Sequence, residues 1–128
     1  MAPPATPPVN VALTAANQNV DVVIDVKTPL ITNCWLWAQR PGGAWEQFGQ
    51  SDMSAAVAAG THTHTLTTVA AGTEVIVNID FLGPVGAPVN ATVSFQQGGA
   101  TLAPSPMTMT PTATSGNAQA GQIDVVFT

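Results

Sequence analysis

Val75-Ile76-Val77-Asn78-Ile79-Asp80-Phe81 is the stretch on which the fold turns. Val75, Val77, Ile79 and Phe81 fall on one side of an extended chain, while Ile76, Asn78 and Asp80 fall on the other. That period of two belongs to a strand. It recurs along the sequence. Val20, Val22, Ile24 and Val26 alternate with Asp21, Val23, Asp25 and Lys27, and Val89, Ala91, Val93 and Phe95 alternate with Asn90, Thr92 and Ser94. Val9, Val11, Leu13 and Ala15 form a run before them, and Ile123, Val125 and Phe127 close the sequence. Turn formers separate the runs at Thr28-Pro29, Pro41-Gly42-Gly43, Gly83-Pro84-Val85-Gly86, Gly98-Gly99 and Ser115-Gly116-Asn117. The pattern predicts an all-β fold, an antiparallel β-sandwich of about seven to nine strands, immunoglobulin-like or jelly-roll-like.

The 128 residues suffice for one core. Residues 1–8 read as a Pro-rich polyproline II arm and residues 9–128 as a single sandwich domain, within which 103–122 is a Pro/Thr/Ser-rich loop or edge strand. Ser51 to Ala59 is the one segment with helical features: Ser51 and Asp52 are available as caps before an Ala-rich stretch closed by Gly60. A loop fits it equally well. Val57-Ala-Ala-Gly-Thr61 recurs as Val69-Ala-Ala-Gly-Thr73, which is reused turn chemistry and not a solenoid, since no third copy follows.

Charged residues make up only 7% of the chain, and its cations are Lys27 and Arg40. Two cations cannot neutralise enough phosphates to hold a nucleic acid, nor can they bind an anionic membrane surface. No stretch is long and apolar enough for a membrane helix. With 45% apolar residues and a mean hydropathy of +0.26 the chain is nevertheless built to pack, and Thr, Asn, Gln and Ser carry its solubility. Cys34 is the single cysteine, expected as a buried small hydrophobe. Residues 1–8 have no basic or apolar segment of a signal peptide, while the composition suits an extracellular, cell-surface or particle-associated protein.

Thr61-His-Thr-His-Thr-Leu66-Thr-Thr-Val69-Ala-Ala-Gly72-Thr73-Glu-Val75-Ile-Val77-Asn-Ile79 resembles the E-to-F region of fibronectin type III and related immunoglobulin-like modules. Cys34-Trp-Leu-Trp-Ala-Gln-Arg-Pro-Gly-Gly-Ala-Trp45 looks like their C-to-C′ hairpin, and Val20 to Val26 is placed like their strand B. The resemblance covers roughly residues 18–95. It implies a non-catalytic recognition or spacer module and carries no functional residues across. The sequence departs from the family at Val75, which stands where a corner tyrosine is usual; the chain has no tyrosine at all.

The aromatic hairpin is the main candidate for a binding site. Trp35 and Trp37 share one strand face, while Cys34, Leu36 and Ala38 share the other. Both faces are apolar, so periodicity does not say which points inward. The expectation is that the two indoles are core mass. Outward, they would make a flat apolar platform for sugar rings or another subunit, with Trp45 across from Trp37, Phe48 nearby and Arg40 beside the turn to pair with a partner's carboxylate. His62 and His64 stand at i and i+2, a spacing that brings two imidazoles to one metal, with Glu74, Asp80 or Asp52 as third ligand. The alternation of Thr61, Thr63, Thr65 and Thr67 instead favours a solvent-facing Thr/His strand. Asp21, Asp25 and Asp80 read as solvated outward acids and not as a calcium or glycosidase pair. Asn90-Ala-Thr92 is a formal glycosylation sequon.

Gly-x-Ser-x-Gly, His-Glu-x-x-His and phosphate-loop motifs are missing from the sequence. The expected function is a non-catalytic structural or protein-interaction module of a surface, secreted or self-assembling particle, with a protein partner or self-association and no cofactor. Low charge weakens repulsion between identical copies. The alternatives are a carbohydrate-binding module or lectin that takes a glycan on the Trp hairpin, and a small metal-binding protein at His62 and His64.

Overall fold

The computed structural model describes residues 8–26, 31–53, 60–82, 91–109, 112–115 and 118–128. These residues form an all-β fold. In chain order the strands are β1 (Val9–Val11), β2 (Gln18–Val26), β3 (Ile31–Gln39), β4 (Trp45–Met53), β5 (Gly60–Val69), β6 (Glu74–Leu82), β7 (Ala91–Gln97), β8 (Ala100–Thr101), β9 (Met107–Thr108), β10 (Thr112–Ser115) and β11 (Ala118–Phe127). The larger sheet has the order β1-β11-β6-β3-β4, with β10 also on the outer flank of β11. The smaller has the order β5-β2-β7-β8, with β9 beside β7. Every pairing is antiparallel except that of β1 with β11, which is parallel.

Alternation sends one row of each strand between the sheets. Val20, Val22, Ile24, Val26, Val93 and Phe95 come from the smaller sheet; Cys34, Leu36, Val75, Val77, Ile79, Phe81, Val125 and Phe127 come from the larger. All are fully buried. Phe95 and Phe127 meet edge to face across the two sheets, ring centroids 5.6 Å apart at 82°, an arrangement that adds to simple area burial. The glutamine at the end of β7 closes one end of the sandwich. Gln97 is buried, its Oε1 accepts from the Thr14 amide, the Thr14 hydroxyl and the Ala15 amide, and its Nε2 donates to the Ala15 carbonyl.

The chain passes from β5 to β6 through a turn in which Gly72 has a φ of +94°, a conformation that L side chains rarely adopt. Its amide donates to the Phe127 carbonyl at 2.7 Å. Arg40, at the end of β3, reaches this turn: Nη1 donates to the Thr68 carbonyl and Nη2 to the Thr67 carbonyl, each at 2.8 Å. A charge-assisted fork therefore ties the two sheets together at this end.

The helical alternative at Ser51 fails, because β4 runs on to Met53 and its backbone pairs with Thr32, Asn33 and Cys34. The cross-strand ladder satisfies amides that a single helical turn would leave unpaired. Residues 54–59 lie outside the described residues, as do most of the N-terminal arm, Lys27 and residues 83–90 with the sequon asparagine. The 103–122 segment contributes β9, β10 and the start of β11, with the two short strands at sheet edges. Truncating Phe127 to alanine removes one ring of the inter-sheet pair and is expected to cost about 3–5 kcal/mol, read as a lower urea midpoint with an unchanged slope.

Candidate functional site

On β3, Cys34, Leu36 and Ala38 are buried in the core, while Asn33, Trp35, Trp37 and Gln39 are half-buried on the opposite side. The expectation of Trp35 and Trp37 as core mass is thus corrected. The interior beside β3 is already filled by Val77 and Ile79 of β6 and by Phe48, so small and aliphatic side chains fit there and two indoles do not. Cys34 packs as expected, and burial pushes its thiol up to about 12, far from any nucleophile.

The outer face of the larger sheet is a set of rows running across the strands. One row reads Asp124, Ile76, Trp37, Gln47; the next reads Gln122, Asn78, Trp35, Gln50; a third reads Val126, Glu74, Gln39, Trp45. Trp45 stands level with Gln39, not with Trp37, because residues 40–44 join the two strands and Gln39 with Trp45 is the first pair beside them; farther along, the register shifts by one residue between Leu36 and Trp37. That bulge also sets Phe48 apart from the tryptophans, packed against the core from the edge. Arg40 has its two terminal nitrogens on backbone carbonyls, so it braces the fold instead of standing ready for a partner's carboxylate.

Two residues of this face were not singled out by the sequence. Asp124 is 6% exposed, and neither carboxylate oxygen has a hydrogen-bond partner; Gln122 Nε2 beside it has none either. Ile76, level with Asp124 and Trp37, is fully buried although it points away from the core. Burial, with a smaller contribution from the Glu74 carboxylate, raises Asp124 to about 6. The alternation of Ile123, Val125 and Phe127 already implied that Asp124 faces outward. Its burial depends on neighbours that periodicity does not reveal.

His62 and His64 do not share the exposed Thr face. They point to the core side of β5, level with Ile24 and Val22, and are half-buried, while Thr61, Thr63 and Thr65 are exposed. The polar threonines take the solvent side, and Thr65 donates to Asp21 at 2.6 Å. A Cβ on Gly49 of β4 would lie 2.6 Å from His64 Nδ1, so the imidazole fills the place where β4 leans on β5. Burial first, and the neighbouring His62 second, lower the pKa of His64. Among the described residues no group of three His, Cys, Asp or Glu side chains is placed to hold a metal ion. Compared with known protein families, curated proteins and solved structures, the chain matches none.

Two outcomes follow from this geometry. Asp124 has a higher pKa folded than the 3.8 of an ordinary aspartate, so its ionisation opposes folding: the penalty is full above pH 6 and gone below pH 4. Asp124→Asn should therefore raise stability by about 1–2 kcal/mol at pH 7.5, with the gain vanishing as the pH falls to about 4 in urea titrations. Gly49→Ala should displace the His64 ring and cost about 1–3 kcal/mol by the same measurement.

Proposed function

We propose that this chain is a non-catalytic recognition module, an immunoglobulin-like β-sandwich that meets its partner on the outer face of the larger sheet. The observation that carries this reading is the outward row of Trp35 and Trp37, flanked by Trp45 and by unpartnered polar groups. Aromatic side chains on a sheet face are costly to leave in water, and patches of this kind mark interaction surfaces.

Strand order supports the immunoglobulin-like assignment. The run β11-β6-β3-β4 corresponds to strands G, F, C and C′ of that fold, and β5-β2 to E and B. The resemblance at residues 18–95 placed the same segments on B, C, C′, E and F. One departure is that β7 takes the flank of β2 where the first strand of that family pairs, so β7, β8, β9 and β10 intervene in the chain between F and G. Missing nucleophile motifs support a non-catalytic role, and sparse charge supports a place on a surface, in a secreted protein or in a particle.

The self-associating form of this reading is open to a direct check. Sedimentation velocity from about 10 μM to about 1 mM should show concentration-dependent association that Trp35→Gln/Trp37→Gln abolishes. A chain that stays monomeric throughout removes the second copy as the partner.

A further inference from the structure

We propose a second site, at one end of the sandwich and separate from the outer face of the larger sheet: an open cleft that takes a small neutral polyhydroxylated molecule, a sugar of one or two rings. The cleft lies where the β1–β2 connection faces the turn after β7. Its volume is about 460 Å³, inside the range of about 300–1,000 Å³ that small-molecule sites occupy. Thr14 and Asn17 of the connection, with Gln18 and Asn19 at the start of β2, form one side, and Gln97 with Gly98 forms the other. Thr14, Asn17, Gln18, Asn19 and Gly98 are exposed, so their polar groups are within reach of a ligand. The walls are held in place before anything enters. Gln97 grips the connection through the Thr14 amide and hydroxyl and through both backbone groups of Ala15. The Asn17 amide donates to the Val69 carbonyl at 2.9 Å, and Asn19 Oδ1 accepts from the Thr68 amide at 3.1 Å, so the end of β5 anchors the connection as well. Asn17 is kept at a φ of 61°, a left-handed conformation that costs free energy in any residue but glycine and that gathers at ligand sites. A Cβ on Gly98 would meet nothing within 4 Å, which leaves the facing lip open. Walls that are already ordered spare a ligand the cost of ordering them.

The chemistry of the walls selects the ligand. Among the described residues none that lines the cleft is charged, and Arg40, which reaches the same end of β5, is committed to the Thr67 and Thr68 carbonyls. An ionic ligand would give up hydration here without gaining a countercharge. Ala15 is the one apolar side chain in the lining, so an aromatic or aliphatic molecule gains little by burial. What the cleft does offer is a hydroxyl at Thr14 and carboxamides at Asn17, Gln18 and Asn19, groups that between them both donate and accept. Asn19 Nδ2 can still donate while its Oδ1 is held. Vicinal hydroxyls present the same alternation of donor and acceptor. A ring fixes those hydroxyls in advance, whereas an open-chain polyol must freeze its rotors to match, which favours the sugar.

The experiment follows the backbone and side-chain amide resonances of the isotope-labelled full chain by NMR. Glucose, galactose, mannose, N-acetylglucosamine and trehalose are each added to about 100 mM, with sorbitol as the open-chain polyol and glucuronate and glucosamine as the charged controls. Expected are saturable shifts of the Asn17 and Gly98 amides and the Asn19 side-chain NH2 with at least one neutral sugar, and weaker or no shifts with sorbitol and the charged controls. The indole N–H signals of Trp35 and Trp37 should stay in place. Asn17→Gly/Gln18→Ala should weaken the binding by tenfold or more. Glycine accepts the left-handed φ of position 17, so this variant is expected to keep the fold, checked by unchanged resonances of Val77 and Ile79 in the core. Undiminished binding by the folded variant overturns the cleft as the site. A sugar that moves the indole signals and leaves the cleft amides alone does the same and assigns the ligand to the outer face. Binding of sorbitol alone overturns the sugar, and equal binding of glucuronate or glucosamine overturns the selection for a neutral ligand. Shifts that stay linear to the highest concentration, or no shifts at all, overturn the proposal outright.

Discussion

The rest of the structure depends on β6 being covered on both of its faces. Val75, Val77, Ile79 and Phe81 are sealed by the opposing sheet, while Ile76 is sealed on the outside although, among the described residues, no second layer of strands lies over it. A strand with β3 on one side and β11 on the other has no edge to expose, so its backbone is satisfied and its side chains decide what surrounds it. Inside, they call for the aliphatic row of β2. Outside, Ile76 needs apolar cover, and Trp37 in the adjacent strand stands level with it. The outer aromatic surface and the core are thus two answers to the hydrophobicity of one strand.

Much of this was legible in the sequence. The alternation at Val75–Phe81, Val20–Val26 and Ile123–Phe127 placed the core rows correctly, since β-branched and aromatic residues at every second position have only one way to bury together. Periodicity failed where both faces were apolar. Between Cys34 and Ala38 it offered two equivalent solutions, and the sandwich chose the smaller side chains for its interior because that space was already filled. Spacing also failed at the β3–β4 hairpin: the connection over residues 40–44 sets Trp45 level with Gln39, and a one-residue bulge farther along leaves Phe48 packed against the core. Bulges depend on tertiary fit and leave little trace in a pattern of twos. At β5 the threonines were placed correctly and the histidines were not, because His62 and His64 are amphipathic enough to line a seam between sheets.

Sparse charge takes on a more local meaning in the structure. Arg40 is spent on two carbonyls that join the ends of β3 and β5, and Asp21 is spent on a threonine hydroxyl across β2 and β5. Asp124 stands apart as an acid placed where ionisation works against the fold. Stability and recognition often compete in this way, and a buried group without a partner is where that competition can be measured.

The register shift in β3–β4 has a consequence beyond where it aims side chains. β4 is the terminal strand of the larger sheet, nine residues long and carrying only Glu46 and Asp52 as charges. A straight edge of that length offers a row of amides and carbonyls to any passing copy of itself. Bent by the bulge and leaning on β5 through Gly49 and His64, it no longer presents a flat ladder. Along this border, where charges are few, shape works beside repulsion against edge-to-edge pairing.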